Sequence, residues 1–263
     1  MAYSIVQWLF FFYLYCFLGW CFESAYVSIR KRRFVNRGFM RGPFLPIYGT
    51  GAVMMLIVSA PFQDNLILTY FAGCIGATVL EYLVGTATEA MFHVRYWDYS
   101  DQKFNFRGQI CLSSTIAWGF FTILMTEVIH KPIERFMYRI PGQLLSVLVA
   151  VLTMTVAADF ALSFKAALDM RDVLFKLENA KAEMERLQKR LDVLIAVADD
   201  AIEEERQELR MKFRVWKDRA EQLRGAGDYF RRRLLLDNPG MISARFRDGL
   251  EELKEAAREH RRK

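Results

Sequence analysis

Two carboxylates within an apolar stretch are the residues of this chain whose types and spacing point most directly to chemistry. Glu81 and Glu89 share a helix face with three small residues, because every fourth position lies on one side of a helix. The helical rise separates the two carboxylates by about 12 Å. An ionisable group inside a bilayer costs several kcal/mol unless it is paired or solvated, so we interpret both as functional. The small residues are Gly73, Ala77 and Gly85.

Basic residues before two other helices can oppose these acids. Arg41 and Arg107 each precede a predicted helix start, where free N–H groups favour anions. We therefore predict a polar cavity in which they pair with Glu81 and Glu89 or bind an anionic head group. In the alternative interpretation the arginines contact lipid phosphate and Glu81 makes a structural hydrogen bond between helices. The candidate cavity or ligand-binding residues are Glu23, Arg41, Tyr48, Glu81, Glu89, Trp97, Asp98, Asn105, Arg107 and Gln109.

The sequence holds no recognisable catalytic or metal-binding motif. Its four cysteines form no CxxC pair, and no histidine has a second ligand at metal-site spacing. Ser113 and Ser114 have no base at usable spacing, so a serine nucleophile is unsupported. We therefore predict no metal, no cofactor and no catalytic residue, which weighs against an enzyme without deciding the question.

The charges of the chain divide it into two unlike parts. The 263 residues are 53% hydrophobic and carry a formal net charge of +6. Residues 1–166 contain 22 charged residues, whereas the shorter segment 167–263 contains 44. A soluble enzyme, a disordered protein and a secreted disulfide scaffold are all poor fits to this division. It favours a membrane domain followed by a charged helical tail.

Five apolar stretches are long enough to cross about 30 Å of hydrocarbon as helices. We predict an all-α fold, with a polytopic membrane helix bundle of about five spans in residues 1–166 and a long cytoplasmic helical tail. This architecture places the chain in the plasma membrane as a multi-pass protein within the lipid bilayer. The predicted spans are Ser4–Ile29, Pro43–Ala60, Leu66–Phe92, Gln109–Ile129 and Pro141–Phe164.

Loop charges predict the orientation of the bundle. The first loop holds six basic residues from Arg30 to Arg41, the second holds none, and the third holds three from Arg95 to Arg107. The positive-inside rule therefore places the first and third loops and the tail in the cytoplasm, with the N-terminus outside. Three basic residues in the fourth loop conflict mildly with this orientation.

The tail shows an apolar repeat typical of a coiled coil. We predict a coiled-coil helix over 167–224 that pairs with a second copy of the chain through the seam 177–201, with a hairpin at Asp199-Asp200 as the alternative. A basic helical segment is expected over 225–263. Acidic residues are interleaved with the basic ones throughout the tail, which argues against nucleic-acid binding. The seam residues are Leu177, Ala180, Met184, Leu187, Leu191, Leu194, Ala198 and Ala201.

Two ordered groups of motifs resemble those of a bacterial membrane protein family. The first group is Gly19-Trp20, Glu23, Tyr26, Asn36-Arg37-Gly38-Phe39, Gly42-Pro43 and Pro46-Ile47-Tyr48-Gly49. The second is Glu81-Tyr82, Gly85, Glu89, Trp97-Asp98-Tyr99-Ser100, Asn105, Gly108-Gln109-Ile110, Ser114 and Trp118-Gly119. Over about residues 1–166 they resemble the family labelled "Putative ABC-transporter type IV". The resemblance implies a permease, and since the sequence has no GxxxxGK[ST] loop, it also implies a separate ATPase subunit.

Three functions fit these observations. We favour a transporter or small-ligand-binding protein with a cytoplasm-facing cavity, in which Glu81 and Glu89 bind a cation, a proton or a basic group. The second is a membrane enzyme acting on a lipid or lipid-linked substrate, with Glu81, Glu89 or Asp98 as acid or base. The third is a membrane-anchored coiled-coil scaffold whose basic end contacts anionic lipid.

Overall fold

The chain folds into two compact units that are almost entirely helical. The computed structural model describes residues 3–196, 203–225 and 229–262. The first unit comprises Met1–Met91 and Arg95–Phe164, and the second comprises Phe92–Val94 and Lys165–Lys263. Apart from one short hairpin, the regular structure is helical, so the predicted all-α class is confirmed.

The first unit contains the apolar helices of the chain. Its elements are α1 (Ile5–Lys31), α2 (Pro46–Ser59) followed by a 3₁₀ turn (Ala60–Phe62), α3 (Leu66–Phe92), β1 (Asn105–Phe106), β2 (Ile110–Cys111), α4 (Leu112–Ile123), a π-helical segment (Leu124–Ile129), α5 (His130–Tyr138) and the beginning of α6 (Gly142–Ala196). Ser4 caps α1 by exchanging hydrogen bonds with Gln7, and Arg32 ends it in the left-handed conformation with φ 50°.

In the part of the chain that the structure describes, four helices are long and apolar enough to cross a membrane, which makes the chain a multi-span membrane protein. They are Ile5–Lys31, Leu66–Phe92, Leu112–Tyr138 and Gly142–Ile195. The second predicted span is shorter than expected, because its helix begins only at Pro46 and its apolar part ends at Phe62. The fourth begins at Leu112 rather than Gln109, since the residues before it form β2. The predicted count of five spans is therefore not confirmed.

Helix α3 has two chemically opposite faces. An apolar stripe at every fourth position is more than half exposed, as expected of side chains that contact lipid. The other face packs against its neighbours: an added Cβ on Gly73 would lie 2.1 Å from Thr122 Oγ1 of α4. The small residues thus let α4 approach closely, and the acids on their face turn away from the lipid stripe. That stripe is Ile67, Phe71, Ile75, Val79 and Leu83.

An aromatic cluster on α1 forms part of the core of this unit. Phe11 is fully buried, and its ring centroid lies 4.8 Å from that of His130. Both ring nitrogens of His130 are hydrogen bonded, Nε2 to the hydroxyl of Tyr3 at 3.0 Å and Nδ1 to that of Tyr15 at 2.7 Å. Tyr3 also donates to Glu134. The chain of hydrogen bonds joins α1 to α5.

The second unit folds the tail back on itself. Its helices are the C-terminal part of α6, α7 (Glu203–Gly225), α8 (Tyr229–Asp237) and α9 (Arg247–Arg262). Leu187 and Leu191 of α6 are buried in a cluster with Leu209 of α7. The Leu194 carbonyl accepts hydrogen bonds from the Arg206 guanidinium, so α7 runs antiparallel to α6. Ion pairs Lys181–Glu252 and Glu178–Arg245 attach α9 and the segment before it to α6.

This packing corrects the predicted use of the heptad seam. Leu177 and Ala180 are fully buried within the chain, and the leucines that follow pack on α7. The described leucines of the seam are thus covered by their own chain, whereas a second copy was expected to cover them. Ala198, Ala201 and the predicted hairpin at Asp199-Asp200 lie outside the described residues.

Close packing between α1 and α2 gives a stability prediction. A Cβ on Gly49 would lie 2.6 Å from the backbone oxygen of Phe12 and 2.4 Å from Cys16 Sγ, whereas one on Gly51 meets nothing within 4 Å. We expect Gly49→Ala to destabilise the protein by about 1–3 kcal/mol and lower its Tm in detergent by several degrees. Gly51→Ala is the matched control and should leave the Tm unchanged or slightly raised. Equal Tm values for the two variants would contradict this packing.

Candidate functional site

Glu81 lies within a cluster of uncharged hydrogen-bond donors. It is only 7% exposed. Oε1 accepts from the Tyr99 hydroxyl at 2.9 Å, and Oε2 accepts from Trp118 Nε1 at 3.0 Å. Ser114 Oγ lies 3.2 Å from Oε2 and 2.9 Å from the Cys111 carbonyl, so its proton is shared. Among the residues that the structure describes, no lysine or arginine forms an ion pair with Glu81.

Helix α4 supplies two of these donors because of where it begins. Cys111 is its N-cap, and the Cys111 Sγ accepts from the backbone N–H of Ser114 at 3.4 Å. Ser114 therefore stands in the first turn, and Trp118 follows one turn later on the same face. A helix that began at Gln109 would not have this cap. The boundary at Leu112 thus places Ser114 in the first turn, where it takes part in the cap and also reaches Glu81.

The hairpin of β1 and β2 supplies the third donor. Tyr99 donates its backbone N–H to the Gly108 carbonyl at 2.9 Å, which holds the tyrosine against the hairpin. Gly108 has φ +67°, and a Cβ there would lie 2.5 Å from Ser100 Oγ and 2.6 Å from Asp98 Oδ1. Burial, and then the charge of Glu81, raise the pKa of Tyr99 above its ordinary value. Tyr99 is therefore a neutral donor at physiological pH.

Glu89 has a different environment, because a cation reaches it. Arg95 Nε lies 2.8 Å from Glu89 Oε1, and Gln109 Nε2 donates to Oε2 at 2.6 Å. The backbone oxygen of Gln109 in turn accepts from Trp97 Nε1 at 2.9 Å. A Cβ on Gly85 would lie 2.0 Å from Gln109 Oε1, so only glycine admits this amide. The amide oxygen itself has no hydrogen-bond donor among the described residues, although Gln109 is buried.

Glu23 forms a third acidic centre. Tyr48 donates its hydroxyl to Glu23 Oε1 at 2.8 Å, and Arg37 Nε lies 3.6 Å from Oε2. A Cβ on Gly19 would lie 2.3 Å from the Tyr48 ring, so the glycine makes room for the tyrosine.

Asp159 fixes the loop that carries Arg37. Its carboxylate accepts from the backbone N–H groups of Arg41 at 3.2 Å and Gly42 at 2.7 Å. The Arg41 guanidinium donates to the Leu162 carbonyl at 3.4 Å. Arg41 was predicted to meet Glu81 and Glu89. Instead it lies at α6, because its own backbone is held there by Asp159.

The other predicted residues stabilise the hairpin. Asp98 is exposed and accepts from the backbone N–H and hydroxyl of Ser100, as a turn-forming aspartate does. Asn105 accepts from the Gly108 N–H at 3.2 Å and donates to two turn carbonyls. Arg107 is exposed, with its guanidinium 5.7 Å from the Phe106 ring centroid. The expected pairing of Arg107 with Glu81 or Glu89 is therefore wrong. The arginines that pair with the acidic centres are Arg95 at Glu89 and Arg37 at Glu23.

Sequence reasoning missed the partners that hold the acids. Tyr99, Ser114 and Trp118 stand within the motifs quoted above, but only Ser114 was considered, as a nucleophile. Their spacing does carry a signal, because Ser114 and Trp118 are four residues apart on an apolar helix. Nothing in the spacing selects Arg37 over Arg41.

Removing one donor from Glu81 should be measurable as a loss of stability. Tyr99→Phe keeps the ring but leaves a buried carboxylate oxygen without its donor, at a cost of about 1–3 kcal/mol. We expect a lower Tm in detergent near neutral pH. Tyr82→Phe, on the adjacent residue of α3, is a control that keeps the Glu81 partners. A Tm for Tyr99→Phe equal to that of the control would show that this hydrogen bond does not stabilise the fold.

The same substitution gives a pH prediction. Because the pKa of Tyr99 is raised in the folded state, ionisation of the unfolded chain favours unfolding as the pH rises through the ordinary tyrosine value of about 10. The contribution of Tyr99 is complete below that pH and is lost above it. Tyr99→Phe should therefore lose less stability than the wild type between about pH 9 and pH 11, as followed by thermal melts.

Comparison with known proteins identifies the first unit. The model of the family described as "Putative ABC-transporter type IV" matches residues 10–164, which is more than half of the chain and includes all three acidic centres. No curated protein and no solved structure shows significant similarity to the chain. The chain is thus a membrane protein that belongs to the "Putative ABC-transporter type IV" family.

Proposed function

We propose that the chain is a permease-like component of a membrane transporter and that the groups around Glu81 bind a cation, a proton or a basic substrate group. The observation that carries this proposal is the environment of Glu81. Two of the three acidic centres have an arginine, but Glu81 is held only by uncharged donors. Its negative charge is therefore stabilised without being neutralised.

The charge balance of the three centres supports a positive ligand. Glu23, Glu81 and Glu89 contribute three negative charges, against two positive charges from Arg37 and Arg95. An uncompensated carboxylate in a membrane segment is unfavourable, so a proton or a cation that reached Glu81 would lower the free energy of the site.

The proposed orientation follows from the loop charges. Basic residues are concentrated in the loop after α1 and in the segment that contains the hairpin, so we place both on the cytoplasmic side of the plasma membrane. The N-terminus is then outside, the second unit is cytoplasmic, and the site faces the cytoplasm. We assign the energy source to a separate ATPase subunit, as the family name suggests.

The environments of the acids favour binding over catalysis. The enzyme alternative requires Glu81, Glu89 or Asp98 to exchange protons with a substrate. Asp98 is bound to its own turn, and Glu89 is paired with Arg95 and Gln109. Of the three acidic centres, only Glu81 has no arginine partner among the described residues, which suits a transported or sensed positive charge.

Flux measurements on reconstituted protein test the proposal. In proteoliposomes with a trapped pH dye and an imposed proton or cation gradient, we expect Glu81→Gln to reduce the flux at least tenfold. The amide cannot carry the negative charge that attracts the ligand. Glu127→Gln is the matched control, because Glu127 pairs with Lys131 within its own helical segment. Equal flux in the wild type and Glu81→Gln would contradict the proposal.

Trp118 provides a binding measurement that does not require flux. Its indole N–H donates to Glu81, so neutralisation of Glu81 changes the environment of that indole. We expect tryptophan emission to change on titration with acid or with a monovalent cation, and Trp118→Phe or Glu81→Gln to abolish that component. An identical titration in Glu81→Gln would show that the signal comes from elsewhere.

A further inference from the structure

A cavity in the second unit is unrelated to the acidic centres. It has a volume of about 210 Å³ and lies among α6, α7, α8 and α9. That is room for roughly seven water molecules, and it is smaller than the pockets that enclose drug-sized ligands. The size suits a small group or the end of a longer molecule. Its walls are formed by side chains from all four helices.

The lining of the cavity includes several basic residues. Arg224, Arg231 and Arg232 line it with His260, and Glu259 is the carboxylate among the lining residues. Arg224 forms an ion pair with Glu252, so its charge is already compensated. Arg232 forms no ion pair among the residues that the structure describes. Among the described lining residues, three are arginines and one is a glutamate, so the lining carries more positive than negative side chains.

The three arginines of α8 have different surroundings. Arg233, the third of three consecutive arginines, pairs with Asp237 one turn later at 3.0 Å and does not line the cavity. Arg231 and Arg232 do line it. An exposed ion pair such as Arg233–Asp237 can stabilise a helix at any exposed position. Folding of α8 therefore does not explain why Arg231 and Arg232 line the cavity and Arg233 does not.

Part of the lining of the cavity is apolar. Leu235, Leu253 and Ala257 are buried at its wall, and Met170 and Val173 of α6 complete it. A guanidinium binds phosphate or carboxylate through two parallel hydrogen bonds, whereas an aliphatic wall favours hydrocarbon. The combination fits a ligand with an anionic head and a short apolar stem.

We propose that this cavity is a binding site for a phosphate ester, with Arg231 and Arg232 on the phosphate and the aliphatic wall on the ester group. Phosphate fits better than a cation, because the guanidinium groups would repel a cation. The same chemistry occurs in soluble phosphate esters and in the head group of phosphatidic acid. The proposal is independent of the function assigned to Glu81.

Calorimetric titration of the full-length protein in detergent tests the site. The probes are inorganic phosphate, glycerol 3-phosphate and dioctanoyl phosphatidic acid, with dioctanoylglycerol as the uncharged control. We expect saturable binding of at least one phosphate probe and none of dioctanoylglycerol. The double variant Arg231→Gln/Arg232→Gln should weaken that binding at least tenfold. Arg190→Gln/Arg214→Gln removes the same charge from exposed positions outside the cavity and should not.

A second variant keeps the test decisive if the arginine variant does not fold. Ala256→Leu fills the cavity without changing charge, and it should also weaken binding at least tenfold. At least tenfold tighter binding of phosphatidic acid than of glycerol 3-phosphate would assign the site to lipid; comparable or weaker binding would assign it to a soluble ester. Absence of saturable binding by every phosphate probe, or equal losses in the two double variants, would overturn the proposal.

Discussion

The need to satisfy a buried carboxylate without a cation determines the arrangement of the first unit. Glu81 requires donors from three places, and each imposes a condition on the backbone. Tyr99 reaches it only because the hairpin turns tightly at Gly108. The two α4 donors lie one turn apart on one face of the helix that begins after Cys111. The short hairpin and the first turns of α4 therefore both supply hydrogen-bond donors to one polar group.

The acidic centres differ in whether an arginine balances the charge of the carboxylate, and this difference distinguishes Glu81 from Glu23 and Glu89. Arginine side chains reach Glu23 and Glu89, where the chain leaves the apolar helices. Glu81 lies deeper along α3 and is held by groups that cannot titrate near neutral pH. Arg37 and Arg95 offset the charges of Glu23 and Glu89, whereas the donors around Glu81 are uncharged. The negative potential is therefore concentrated at Glu81.

The predictability of each feature from the sequence depends on whether it is local to one element. The inward face of α3 was predictable, because residues four apart share a side of any helix. The choice of Arg37 over Arg41 was not, since it depends on a loop with left-handed backbone at Arg32 and Gly38 and on the anchor at Asp159. The heptad seam was recognised, but an apolar stripe does not specify whether its partner is another chain or the same one. In the structure, α7 packs antiparallel on α6, so the same chain covers Leu187 and Leu191 of this stripe.

The two faces of α3 also imply two unequal rates of sequence change. Lipid tails adapt to any apolar outline, so the stripe from Ile67 to Leu83 constrains only hydrophobicity and tolerates exchange among aliphatic and aromatic residues. The opposite face constrains shape to within a methyl group, since Thr122 and Gln109 occupy the space that a Cβ on Gly73 or Gly85 would fill. Tolerance to substitution along α3 should therefore alternate with the helical period, high on the lipid-facing side and low on the side of Gly73 and Gly85.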